Sequence, residues 1–152
     1  EITEREVRTM YKEINFDMDG TIANLYDCDN WLDDIRNERI NPYVNAKPMI
    51  NMSVLARVLN EKIRNGYTVN IISWTAKNGT AEYNARVEKA KIEWIRKHLK
   101  SVHFNAVKVI PYGTPKQNHG NGYLFDDEEP NRNAWNGIAF DEKNIIENLK
   151  KI

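Results

Sequence analysis

The chain has 152 residues, 41% of them apolar, and its 22 basic and 22 acidic residues cancel to a formal net charge of zero. That length suits one domain, 1–152, with a continuous core, and the balanced charge excludes a disordered charged tail and argues against a general nucleic-acid binder. No apolar run approaches the roughly 20 residues that cross a bilayer, no signal peptide is visible, and Cys28, the single cysteine, leaves no internal disulfide, so a cytoplasmic protein without a membrane partner is expected.

Thr3 with Glu6 predicts a capped turn ahead of the first strand. That strand is expected from about Glu13 to Met18 and runs into FDMDGTIANLYD, residues 16–27. Residues two apart on a strand share a side, so Asp17 and Asp19 project together, and Gly20 lets the chain turn away at once. Two carboxylates held so close repel each other unless a cation or a shared proton compensates. A calcium loop is excluded: counted from Asp17, the positions that need glycine and glutamate hold Ile22 and Cys28.

Between Asp19 and Pro48 lies a polar segment carrying Tyr26, Trp31, Tyr43 and the acids Asp29, Asp33 and Asp34. It reads as one short helix and a loop that closes at Asn41-Pro42. Pro48 suits the first turn of the next helix, in which Val54, Leu55, Val58, Leu59 and Ile63 recur at helical spacing until Asn65-Gly66. Tyr67 to Ile72 predicts a buried parallel strand, ending in Ser73-Trp74-Thr75. A long helix follows from about Thr80 to Leu99, then strands at Ala106 to Ile110 and Gly122 to Phe125, and a last helix capped by Asp141.

Strands alternating with helices predict an α/β fold, a Rossmann-like parallel sheet with helices on both faces. In such a sheet a ligand sits beyond the carboxyl ends of the strands. Four polar clusters fall at those ends: Asp17/Asp19, Ser73/Thr75, Lys116 and Asp126/Asp127. Each alone is an ordinary turn or loop feature. Their joint order resembles the haloacid dehalogenase (HAD) superfamily of phosphotransferases, whose pattern asks for DxD, a Ser or Thr, a Lys and a pair of acids in that order. The ten-residue step from Lys116 to Asp126 and the helix VEKAKIEWIRKHL resemble the 5′(3′)-deoxyribonucleotidase branch.

The resemblance implies a HAD-like fold with a small cap at about residues 22–47. It also implies a Mg²⁺-dependent phosphomonoester hydrolase acting through an aspartyl-phosphate. Asp17 would be the nucleophile, Asp19 the acid and base, Ser73 a donor to a phosphoryl oxygen, and Lys116 the neutralising cation. Asp17, the main-chain carbonyl of Asp19 and Asp127 make the expected metal set, with Asp126 behind them or as an alternate ligand. Four aspartates with one protonated carry three negative charges, which Mg²⁺ and Lys116 balance, so metal dependence is expected.

Thr75 and Trp74 are the candidate substrate contacts, Trp74 either as packing under the cap or as a platform on which a base stacks. The expected substrate is a nucleoside monophosphate. Phosphorylated polynucleotide ends, suggested by the short cap, and a phosphate-binding regulator without turnover are the alternatives. The cations Arg86, Lys89, Lys91, Arg96, Lys97 and Lys100 read as a solvated helix face. His98 is expected on that surface, and His103 and His119 lack metal-ligand spacing.

Overall fold

In the computed structural model, which describes Thr3 and residues 12–152, the first strand β1 (Glu13–Phe16) lies in the middle of a five-stranded sheet. It pairs in parallel with β2 (Thr68–Trp74) on one side and with β4 (Tyr123–Phe125) on the other. β3 (Ala106–Ile110) extends the sheet beyond β2, and β5 (Ile138–Phe140) extends it beyond β4. The order β3-β2-β1-β4-β5 means that the chain first winds outward one way, then returns and winds the other way. β1 and β4 therefore flank the switch point, where the connections leave in opposite directions and open a crevice at the carboxyl ends.

Between β1 and β2 come α1 (Trp31–Arg36), α2 (Asn41–Asn45) and α3 (Met52–Arg64). α4 (Ala81–His98) joins β2 to β3, α5 (Glu129–Ala134) joins β4 to β5, and α6 (Ile145–Lys151) closes the chain. Alternation along β1 sends Ile14 and Phe16 into the main core with Leu55 and Leu59 of α3, Ile95 of α4 and Leu149 of α6. Each such large apolar side chain contributes about 1.5–3 kcal/mol by leaving water. The opposite face has a smaller core of Ile72, Leu124 and Trp135 beside α5. The sheet is thus covered on both faces, the long helices on one of them.

On that thinner face the buried amide of Asn70 donates to Asn15 Oδ1 at 3.2 Å, and Asn15 donates onward to the Asn121 carbonyl at 2.7 Å. A one-residue slip would strand these buried groups without partners, so the pair fixes the register of β1 against β2. The strand ends that carry the acids are held in place by the same register.

Several boundaries differ from the sequence expectation. β1 stops at Phe16 rather than Met18, because the Met18 carbonyl is taken by the N–H groups of Thr21, Ile22 and Ala23 in a tight turn. The cap holds a 3-10 turn at Leu25–Asp27 and two short helices, not one. Asn41-Pro42 opens the second of them instead of closing a loop, since proline suits a first helical turn. Pro48 does not start α3; it bridges Ala23, and the side chain of Asn51 caps α3 by accepting from Val54 N at 3.1 Å. β2 runs on through Trp74. Asp141 turns back to accept from Lys143 N, so it does not cap α6, whose N-cap is Asn144. β5 and α5 have no counterpart in the sequence reading, being only three and six residues long. The turn expected at Thr3 and Glu6 lies outside the described residues beyond Thr3 itself.

Candidate active site

The turn after β1 brings two acids to the crevice. Asp17 still donates its N–H to the Phe125 carbonyl at 2.9 Å, which keeps its side chain aligned with the sheet. Gly20 adopts φ +81, a left-handed conformation, and the chain doubles back on Met18. Thr21 then lies between two strand ends: its hydroxyl is 3.1 Å from Asp17 Oδ2 and 3.0 Å from Asp127 Oδ1. Thr21 belongs to the Gly-Thr turn, yet sequence reasoning gave it no role of its own.

Lys116, at the start of a 3-10 turn (Lys116–Asn118), is buried. Its ammonium donates to Asp17 Oδ1 and to Asp126 Oδ2, each at 2.8 Å. Burial pushes the Asp17 carboxyl up, but the Lys116 charge and hydrogen bond, with the contact to Asp127, outweigh it and hold Asp17 below the usual carboxylate range. Burial disfavours the Lys116 ammonium as well, and the two carboxylates overcome that and hold it charged.

Asp126 is fully buried and heavily engaged. One oxygen accepts from Glu128 N at 2.9 Å, and the other accepts from Lys116 and from Asn131 Nδ2 at 3.2 Å. Burial and the charge of Asp17 push it up to about 6 against the pull of Lys116. Asp127 has fewer partners, and burial together with its contact to Asp17 pushes it up to about 8. Carboxylate oxygens of Asp17, Asp126 and Asp127 lie within 4.8 Å of one another, close enough to share one cation. The sequence could not separate the two neighbouring acids. The hydrogen bonds distinguish them, leaving Asp127 the less engaged carboxylate.

Gly20 lets the turn and the Asp127 carboxylate lie against each other. A Cβ at that position would meet Asp127 Oδ2 at 2.5 Å, so the glycine leaves room for a carboxylate to lie against the turn. All-oxygen donors of this kind suit a hard divalent cation such as Mg²⁺.

Lys91 overturns one expectation. It is not on the solvated face of α4 but is almost wholly buried, and its ammonium lies 2.7 Å from each of Asp19 Oδ2, Ser73 Oγ and the Trp74 carbonyl oxygen. The signal was present: Val87, Lys91 and Ile95 are four apart, which puts Lys91 on the apolar stripe rather than opposite it. Burial pushes the Asp19 carboxyl up, Lys91 opposes this, and the charge of Asp17 adds to the rise. The expected charge count changes too. Two buried lysines, not one, stand against the four aspartates, so less negative charge is left for a metal ion to balance than the sequence alone implied.

Asp17, Asp19, Ser73, Trp74, Thr75 and Lys116 line one cavity of about 490 Å³, within the range of small-molecule sites. Trp74 follows Ser73 on the same strand and starts on the other side, yet both reach the cavity wall. The indole N–H donates to the Thr114 carbonyl at 2.9 Å, Tyr112 packs edge-on at 5.0 Å, and the Lys116 ammonium sits 5.2 Å from the ring centroid. The cap adds Tyr26 and Trp31, themselves edge to face at 4.9 Å. Tyr26 and Tyr112 are about half exposed, at 46% and 51%, so the outer part of the cavity is aromatic and open.

Of the histidines, His98 is not free on the surface but tilts against Trp94 at 4.4 Å. His103 and His119 line no part of this cavity. No helix among the described residues is long and apolar enough to cross a membrane. No protein-family model matches the chain, and no curated protein matches it.

Proposed function

We propose that the chain is a HAD-superfamily phosphatase that hydrolyses nucleoside monophosphates through an aspartyl-phosphate on Asp17. The observation that carries this reading is the meeting of Asp17, Asp19, Ser73, Lys116, Asp126 and Asp127, from four separate segments, at the switch point of a parallel sheet, Asp126 and Asp127 standing behind the cavity wall against Asp17 and Lys116.

The contacts at the site are compatible with the role proposed for each residue. Asp17, kept ionised by Lys116, attacks phosphorus, and its new P–O bond replaces the ester P–O bond. The departing alkoxide takes a proton from Asp19, whose burial favours the protonated form before reaction. Asp19 then carries a negative charge beside the Lys91 ammonium and can take a proton from the water that hydrolyses the aspartyl-phosphate. Ser73 donates to a phosphoryl oxygen, and Lys116 offsets charge on nucleophile and phosphate. Asp17, Asp127 and the Asp19 carbonyl would hold Mg²⁺, with Asp126 behind them; the ion supplies charge stabilisation to the phosphoryl group.

The aromatic walls support the nucleotide as substrate. A ring stacked on one of the lining aromatics, Trp74, Tyr26 or Tyr112, would cover exposed surface at the cavity mouth. We place the protein in the cytoplasm, where a lone thiol such as Cys28 stays reduced.

The test is a panel of phosphate esters with Mg²⁺: nucleoside monophosphates, sugar phosphates, an aryl phosphate and oligonucleotides phosphorylated at either end. Nucleoside monophosphates should give the highest kcat/KM. A higher value for oligonucleotide ends would replace the substrate assignment, and no release of phosphate from any ester would overturn the reading.

A further inference from the structure

The reaction just described leaves one buried cation with no direct part in it. Lys91 extends from the middle of α4 across the carboxyl end of β2. An ammonium has three hydrogens, and here three acceptors lie at 2.7 Å: Asp19 Oδ2, Ser73 Oγ and the Trp74 carbonyl. The ring of Tyr43, from the cap helix α2, stands 5.3 Å from the same nitrogen. Lys91 is therefore saturated and has no hydrogen left to offer a phosphate.

Saturation defines what it does to its partners. Ser73 Oγ accepts from Lys91, so the single hydroxyl hydrogen is directed to another acceptor, and the cavity that Ser73 lines is where a phosphoryl oxygen would be. Asp19 is held by Oδ2, which leaves Oδ1 as the oxygen available to the cavity. The Trp74 carbonyl ties both to the strand end whose neighbouring side chain forms the cavity wall. A single nitrogen thus sets three distances at once.

We propose that Lys91 is a positioning residue that locks the acid–base carboxyl of Asp19 and the phosphate-binding hydroxyl of Ser73 into one geometry. It acts through them and does not contact the substrate. The inference rests on the phosphatase reading above. A merely structural ion pair would need only a positive charge near Asp19; a positioning residue needs three donors converging from one point. Arginine separates these two cases, because its planar fork keeps the charge but cannot reproduce that convergence.

The experiment compares wild type, Lys91→Met and Lys91→Arg with Mg²⁺, on a nucleoside monophosphate and on p-nitrophenyl phosphate, after thermal melts of each. The aryl phosphate has an easy leaving group and depends little on the acid. Lys91→Met should lower kcat on the nucleotide by about 10²–10⁴-fold, the usual contribution of a placed acid or base, and lower kcat on the aryl phosphate by about tenfold or less. Lys91→Arg should fold with its charge retained and still lose about 10²-fold on the nucleotide, showing the same split between esters. The arginine variant keeps the question open to measurement if the methionine variant does not fold.

Full activity in Lys91→Arg would make the role one of charge alone and overturn the proposal. Equal losses on the two esters in either folded variant, which disturbance of Ser73 alone would give, would overturn the joint positioning of Asp19 and Ser73. A wild type inert on every ester sinks the phosphatase reading and this inference with it, whereas an active wild type with an indifferent Lys91 sinks only the inference.

Discussion

Gly20 and Asp127 are in such close contact that a Cβ on residue 20 would fall 2.5 Å from Asp127 Oδ2. The pair joins the turn after β1 to the loop after β4, the two sides of the switch point. Gly20→Ala carries two penalties, a strained backbone at φ +81 and the displacement of that carboxylate. The strain costs about 1–3 kcal/mol, and the displaced carboxylate should weaken Mg²⁺ binding as well. Gly66 is the control, with φ +94 and nothing within 4 Å. Gly66→Ala should lower Tm without touching Mg²⁺ affinity, and titration calorimetry on both variants checks the contrast.

Asp17 is the residue that turnover should tolerate least. Asp17→Asn keeps the shape and leaves Lys116 its bond to Asp126, so the fold should survive. The nucleophile and one metal ligand are lost together, and kcat should fall by more than about 10³-fold. With wild type, beryllium fluoride or aluminium fluoride should place the phosphoryl mimic on Asp17. Ordinary turnover in the folded variant would end the mechanism.

The sheet and the order of the site residues were legible because each rests on a local rule. α4 is bounded as expected, with Thr80 capping Tyr83 N and Leu99 ending it, since a cap is written in adjacent residues. β3 matches its expected bounds for the same reason, a β-rich run between breakers. Lys91 was missed because a charge count along a helix ignores which face each charge is on. β5 was missed although β4 is as short, because it is partly exposed, ends in no cluster that marks a site, and takes its pairing from β4 alone. The engagement of Asp126 joins the nearby Glu128 and Asn131 to Lys116 from another loop, and that last contact is not written in adjacent residues.

Metal affinity and stability should change together with pH. Burial and the contact with Asp17 push Asp127 up to about 8 from the ordinary 3.8. Between those values the folded protein holds a proton that the unfolded chain has released. The stability this proton contributes is present in full below about pH 4 and lost as pH rises through about 8. A cation at the acids must displace the proton, so Mg²⁺ should bind more tightly as pH rises to about 8. The metal-free Tm should therefore fall across this window while the rise in Tm caused by Mg²⁺ grows. Asp127→Asn should flatten both trends. A Mg²⁺-induced shift that is equal at about pH 6 and about pH 8.5 would remove Asp127 from the metal set.

Trp74 carries the substrate assignment, and its surroundings give it two duties that can be separated. The indole N–H bond to the Thr114 carbonyl and the edge contact with Tyr112 are structural. Its place in the cavity wall, beside Lys116, would put the ring next to the leaving group of a phosphate ester on the reading proposed above. Stacking of a base on an aromatic ring is worth roughly 1–3 kcal/mol, about ten- to a hundredfold in binding. Trp74→Leu keeps apolar bulk, loses the ring, and should raise KM for nucleoside monophosphates by about that factor while hardly changing KM for a sugar phosphate without a base. Trp74→Phe keeps a ring but loses the N–H, so it should lower stability, and Tm with it, by the loss of one hydrogen bond worth about 0.5–1.5 kcal/mol, and retain most nucleotide binding. Both variants lose the N–H bond to the Thr114 carbonyl and should lower Tm, whereas only Trp74→Leu should also raise KM for nucleotides. If Trp74→Leu lowers Tm and shifts KM equally for substrates with and without a base, the indole is packing alone and the base must be read elsewhere on the aromatic mouth.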